Sequence, residues 1–191
     1  MSSLKLVIFG RQGAGKGTQA ARLVESYGFA HISTGDMLRS ERDAGTALGI
    51  EAGQIMARGD LVPDHIMIDV AKNRLSDAEV KASGFVLDGF PRTTDQAEAL
   101  VAHLADDPLD AVIDLNVPLD EVKTRMMARG REDDTEAAIS QRLDLYERQT
   151  RPVLDWFNGQ GLLVTVDGLG TEDEVAARLT AVVDNLVGPE S

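Results

Sequence analysis

The residue pattern predicts an α/β protein: a parallel sheet covered by helices on both faces. Two observations predict it. Short apolar runs recur at residues 4–9, 84–87, 111–115 and 162–166, alternating with stretches whose apolar residues fall at helical spacing. A glycine-rich turn joins the first run to the first helical stretch, the junction at which such folds bind anions. The length of 191 residues fits one domain with insertions.

Each element has its own signal. Leu4 to Phe9 is a buried strand ending at Gly10. Ala20, Leu23, Val24 and Tyr27 form the apolar stripe of the first helix, which Gly28 stops. Ser33 and Thr34 are N-cap candidates for a short helix through Arg39 to Glu41. Thr46 to Arg58 is a second short helix closed by Gly59. Pro63 to Leu75 is a third, with proline in its first turn. Residues 33–62 therefore read as a helical insertion without a strand.

Gly84 to Leu87 is the next strand, ended by Asp88-Gly89. Thr93 to Leu104 is helical, Ala111 to Leu115 is a strand, and Pro118 opens a helix towards Arg129. After a polar break at 131–134, Thr135 to Asn158 is helical, bent or interrupted near Pro152. Leu162 to Val166 is the last strand, and the capping box Thr171-x-x-Glu174 opens the final helix. Gly188 to Ser191 reads as a loose tail.

Composition narrows the function classes. The net charge is −13, from 32 acidic against 19 basic residues, which disfavours a broad nucleic-acid-binding face. A small anionic substrate in a locally basic cleft remains compatible with it. Without cysteine there are no disulfides, cysteine nucleophiles or thiolate zinc sites. No apolar run approaches the roughly 20 residues of a membrane span, and the N-terminal run is too short for a signal-peptide core. A cytoplasmic enzyme is the expectation. Of the 14 arginines, six fall between Arg125 and Arg151, a clustering more informative than the high Arg:Lys ratio.

The motif with the clearest chemistry is Gly10-Arg11-Gln12-Gly13-Ala14-Gly15-Lys16-Gly17-Thr18. Glycines let successive N–H groups converge on a phosphate, the helix N-terminus adds partial positive charge, and Lys16 reaches the β- and γ-phosphates. The strict phosphate-loop pattern has Ser or Thr directly after the lysine; here Gly17 intervenes and Thr18 follows. The dinucleotide pattern does not fit, and a bare glycine turn with one exposed lysine is the bland alternative. Asp88, at the C-terminal end of a strand, is placed to orient waters around Mg²⁺. Gly89 permits close backbone approach, and Arg92 offers a fork to a phosphate. The alternative there is a turn with a surface arginine. Thr93-x-x-Gln96 is also a capping box, so the Gln96 amide has a competing structural role.

With Gly-Lys-Gly-Thr in this setting, the chain resembles the nucleoside monophosphate kinases, the adenylate kinase family in particular, over nearly its whole length. That family usually has proline where Arg11 and Gln12 stand. The resemblance implies a three-layer P-loop NTPase fold with a five-stranded parallel sheet. It implies a core domain of residues 1–32, 63–127 and 135–191, a monophosphate-binding insertion at 33–62 and a short lid at 128–134. The implied activity is transfer from Mg-ATP to AMP giving two ADP, in adenine nucleotide homeostasis, by a cytoplasmic monomer without zinc, nucleic-acid or membrane partners. A UMP/CMP kinase of the same fold is the alternative in class, and a non-catalytic nucleotide-binding switch the alternative outside it.

Carried over by motif, Gly13, Ala14, Gly15, Lys16, Gly17 and Thr18 would hold ATP, with Arg125, Arg129 and the Gly170 loop beside it. Thr34 would face the adenine of AMP and Arg39 its phosphate, although a helix cap and a solvated charge are the plain readings of each. Asp60, Leu61 and Val62 would line the AMP base and ribose. Gly89, Phe90, Pro91 and Arg92 would follow on the phosphate side, and Gln96 would meet the adenine edge. Lys16, Arg92, Arg129, Arg131 and Arg142 would surround the transferred phosphoryl, with Asp133 and Asp134 holding lid arginines. Salt bridging to the neighbouring acids is the alternative for this arginine set.

Overall fold

The computed structural model describes residues 3–130 and 134–188. Five strands form one wholly parallel sheet: β1 (Lys5–Phe9), β2 (Ala30–Ser33), β3 (Phe85–Asp88), β4 (Ala111–Asn116) and β5 (Leu163–Asp167), in the spatial order β2-β3-β1-β4-β5. β1 is buried along its full length, and its side chains alternate between the two faces. Leu6 and Ile8 enter one core, with residues of α1 (Lys16–Tyr27), α7 (Leu119–Arg129), α8 (Glu136–Leu145) and α10 (Glu172–Val187). Val7 and Phe9 enter the other, with residues of α2 (Thr34–Asp43), α3 (Ala47–Ala57), α4 (Asp64–Leu75), α6 (Thr94–His103) and α9 (Arg151–Gly159). Two-sided burial is what makes the strands read as continuous apolar runs.

The helix after β1 packs on one face and the helix after β3 on the other, although β1 and β3 are neighbours. The chain therefore parts at their C-terminal ends and leaves a crevice there. Such switch points are where parallel sheets bind ligands.

Helix boundaries follow the caps. Ser33, Thr46, Thr93, Thr135 and Thr171 each accept a backbone N–H at a helix start, and Thr171 with Glu174 completes the expected capping box. Gly28 ends α1 in the left-handed conformation.

Two elements depart from the pattern, and one expected break takes a specific form. β2, a four-residue edge strand with only Ile32 fully buried, carries too little apolar periodicity to be read as a strand. α5 (Ala78–Ser83) is six residues long and equally silent. The long helix from Thr135 is interrupted by a π-helical turn at Tyr146–Thr150, immediately before α9. The missing N–H of Pro152 and its ring's clash with the preceding turn account for the break. Among the described residues, no helix is long and apolar enough to cross a membrane.

Candidate active site

A cleft of about 770 Å³ opens over the C-terminal ends of β1 and β3. One wall is the loop between β1 and α1. Its turn is closed by the Ala14 N–H donating to the Arg11 carbonyl at 3.0 Å. Gly13 has φ +89°, and a Cβ there would stand 2.7 Å from both Met126 Cγ and the Val122 carbonyl, so α7 presses directly on the loop. From the same helix, Arg125 donates to the Ala14 carbonyl at 3.4 Å and pairs with Glu121 at 2.7 Å. Gly13 to Thr18 all line the cleft, as the glycine spacing requires.

Lys16 Nζ donates to the carbonyls of Gly10 (3.0 Å) and Arg11 (3.2 Å). Loss of hydration lowers its ammonium pKa most. Asp88 opposes that, and the positive charges of Arg92 and Arg129 add to it. Asp88 caps β3 opposite Ile8, and its Oδ2 lies 3.8 Å from where a Cβ on Gly17 would stand. The lysine and the carboxylate thus flank the loop's mouth.

The second wall is arginine-rich. Gly89 has φ +87°, and a Cβ there would meet Thr34 Oγ1 at 2.8 Å, so only glycine lets this turn close on α2. Phe90–Pro91 is a cis peptide, and Arg92 folds back to donate to the Gly89 carbonyl at 2.8 Å. Burial lowers the Arg92 pKa, Asp88 opposes, and Arg142 and Arg39 each lower it further. Guanidinium groups from α2, α8 and the β3–α6 loop therefore converge. Arg39 is steadied by Asp36 on its own helix. Arg142 reaches the Met56 carbonyl of α3 at 2.8 Å and Asp134 at 3.1 Å, and Arg129 takes the same Asp134.

The expected residues divide three ways. Arg39, Asp60, Leu61, Asp88, Gly89, Phe90, Pro91, Arg92, Arg125, Arg129, Arg142 and Gly170 line the cleft with the phosphate loop. Thr34, Val62 and Gln96 lie just behind its surface, all buried. Thr34 Oγ1 donates to the Asp88 carbonyl at 3.4 Å. Gln96 Oε1 accepts the Arg92 N–H at 2.8 Å while its Nε2 donates to Asp64 at 2.7 Å. Its side chain thus serves Arg92 and Asp64 and not the Thr93 N–H of a capping box. Arg131 and Asp133 lie outside the described residues.

Sequence reasoning missed Asp64, which also accepts from Thr93 Oγ1 at 2.8 Å, and Thr150, whose hydroxyl donates to the Arg92 carbonyl at 3.1 Å. Tyr146 and Glu172 also line the cleft without a motif to announce them. Asp64 reads in sequence only as an acid in a helix's first turn, and nothing local pointed to the others.

A strand-to-helix glycine loop with its lysine can hold a triphosphate. The arginines across the same cleft can hold a second phosphate in line with it. That pairing defines the phosphotransferases of the P-loop class, in which the protein mainly positions phosphates and stabilises their charge. A family model described as adenylate kinase matches residues 8–162. The chain is 47% identical over 186 residues to an adenylate kinase of Xylella fastidiosa (strain M12), covering 94% of this chain and 99% of the relative. One from Stenotrophomonas maltophilia (strain R551-3) shows the same identity and coverage. One from Xanthomonas campestris pv. campestris (strain B100) is 46% identical over 182 residues, 92% of this chain and 97% of the relative. The chain belongs to the adenylate kinase family, and it is a phosphotransferase enzyme.

Proposed function

We propose a division of labour for the adenylate kinase reaction, the reversible transfer of a phosphoryl group from Mg-ATP to AMP that gives two ADP. ATP lies on residues 13–18, its β- and γ-phosphates against the loop N–H groups and Lys16, with Arg125, Arg129 and Gly170 along it. AMP lies across the cleft, its phosphate on Arg39 and Arg92 and its base over Asp60 and Leu61, with Thr34, Val62 and Gln96 behind. Lys16, Arg92, Arg129, Arg131 and Arg142 stabilise the charge of in-line transfer, and no general base is required.

Mg²⁺ arrives on ATP. Asp88 suits it because its carboxylate stands beside Gly17 at the loop's mouth, where a carboxylate orients waters on the ion. Among the described residues, no group of three or more His, Cys, Asp or Glu could hold a metal by itself.

Residues 33–62 act as a monophosphate-binding insertion and 128–134 as a short lid, both closing on the core and excluding water. Support comes from Arg142 and Gln141 of α8, which reach Met56 and Asp60 of the insertion at 2.8 and 3.2 Å. The enzyme works as a cytoplasmic monomer. Its exposed large apolar side chains, Ile50, Leu119, Met127, Leu169 and Leu186, are spread over α3, α7, the β5–α10 loop and α10.

The observation that carries this reading is that Arg39, Arg92 and Arg142 line the same cleft as Lys16 and its glycine loop. Initial rates with AMP, CMP, UMP and GMP at saturating Mg-ATP test it. AMP is expected to be the best acceptor by a wide margin. If CMP or UMP is preferred, the base assignment fails while the phosphate sites stand.

A further inference from the structure

The turn at the heart of the phosphate loop lacks a local restraint. Arg11 to Ala14 is closed by an i to i+3 hydrogen bond, and Gly13, third in the turn, has φ +89°. That is type II geometry, in which the second position is best filled by proline because its fixed φ is already correct. Here Gln12 occupies that position, and its N–H makes no hydrogen bond among the described residues. Glutamine leaves the open turn many more backbone states than proline would.

The restraint comes from a distance instead. The Arg11 side chain turns away from the cleft and is only 16% exposed. Its Nε donates to Glu147 Oε1 at 2.8 Å, one terminal nitrogen meets the same oxygen at 2.5 Å, and the other donates to the Val117 carbonyl at 3.1 Å. The guanidinium also lies 5.7 Å from the centre of the Tyr146 ring. Glu147 Oε2 meets Arg151 at 3.3 Å, so its carboxylate bridges two guanidinium groups. Glu147 and Tyr146 belong to the π-helical turn that follows α8, the helix carrying Arg142. Meanwhile the Arg11 carbonyl accepts both the Ala14 N–H and Lys16 Nζ. One residue thus touches the catalytic lysine with its backbone and the turn after α8 with its side chain.

We propose that Arg11, clamped by Glu147 and the Val117 carbonyl, is a positioning residue that holds the phosphate loop and Lys16 in the geometry for transfer. The role rests on the reading of Lys16 as the phosphate-contacting cation. Arg11 acts through the turn, and it is not among the described residues that line the cleft. It restrains Gln12 and Gly13 from the side opposite the nucleotide, and it ties their position to the π-helical turn.

The test compares wild type with Arg11→Ala, Arg11→Lys, Glu147→Gln, Arg11→Ala/Glu147→Ala and Arg11→Ala/Gln12→Pro. Readouts are kcat, KM for each nucleotide, and nucleotide-free hydrogen exchange at residues 11–15. Arg11→Ala is expected to lower kcat by about ten- to a hundredfold, as small misplacements of a reacting geometry do, while KM for AMP holds within about twofold. Exchange at residues 13–15 is expected to quicken. Arg11→Ala/Glu147→Ala is expected to be no slower than Arg11→Ala, since both remove one clamp. Adding Gln12→Pro to Arg11→Ala is expected to recover most of kcat by restoring the restraint locally.

Unchanged kcat and exchange in Arg11→Ala would overturn the proposal, as would a kcat loss that Gln12→Pro leaves untouched. If Arg11→Ala does not fold, Arg11→Lys and Glu147→Gln decide by the same readouts, because each loosens the clamp and keeps most of the packing. Should the wild type phosphorylate no monophosphate, the functional reading falls, and the exchange rates still judge the clamp.

Discussion

Asp134 takes two hydrogen bonds from Arg129, at 2.8 and 2.9 Å, with its own side chain fully buried. Arg142 meets the same carboxylate at 3.1 Å. A single acid therefore holds arginines from α7 and α8. Removing one partner of a buried pair leaves charge uncompensated, at a cost of up to about 3–5 kcal/mol. Part exposure of Arg129 puts the cost here at the low end.

Asp134→Ala is expected to lower Tm by several degrees and kcat/KM by about tenfold or more, because both arginines lose their common anchor. Asp134→Asn, which keeps one acceptor oxygen, is expected to recover part of each. Melting curves and steady-state rates check this. A lower Tm with unchanged kcat/KM would make Asp134 structural only.

Lys16→Met is expected to separate activity from stability. If its ammonium meets the transferred charge as proposed, removing it should cost about two to three orders of magnitude in kcat. Its lowered pKa means that the fold disfavours the charged form, so the variant's Tm without nucleotide should equal or exceed wild type. The rise in Tm on adding ADP should shrink, since fewer contacts favour the bound state. Near-normal turnover in a folded variant would remove the phosphate-loop mechanism.

Base choice should depend on Asp64 as well as Gln96. Gln96→Ala strands the Arg92 N–H and an Asp64 oxygen, at about 1–3 kcal/mol, so lost stability will accompany any lost selectivity. Asp64→Asn keeps the packing and allows both hydrogen bonds, but no longer dictates which way the Gln96 amide faces. Its Tm should stay near wild type while the ratio of AMP to CMP rates falls several-fold. An unchanged ratio in both variants would take Gln96 out of base recognition.

Asp114 gives a pH signature. Burial raises its pKa from the ordinary aspartate value, more than Arg11, Arg151, Lys16 and the Tyr146 hydroxyl lower it. The folded state therefore holds this proton to higher pH than the unfolded chain. This contribution to stability is fully present below the unfolded pKa and is lost as pH rises through the folded one. Asp114→Asn should melt higher than wild type at pH 7, with the difference closing near pH 4. A variant less stable at pH 7 would show that the charge is net favourable in place.

What could be read from sequence was local in the chain. The phosphate loop is nine consecutive residues, and glycine, lysine and a strand-to-helix junction specify it without reference to anything distant. The strands buried on both faces, the threonine caps and the Thr171–Glu174 box were legible for the same reason: burial and capping leave periodic or short-range marks. Asp88 could be picked out because it ends a strand, and Arg92 because it follows closely in the loop beyond Gly89.

Tertiary structure alone decided the rest. β2 is defined by its backbone pairing with β3 and not by its side chains, so no pattern betrays it. Gln96 meets Asp64 across 32 residues, and Arg11 meets Glu147 across 136. Each of those side chains has an ordinary local explanation, a capping glutamine or a solvated charge. Which explanation holds depends on what the folded sheet brings within 3 Å of it. Hydrogen bonds act only at contact and charges only over short distances, and proximity between residues distant in sequence is a property of the fold, not of spacing along the chain.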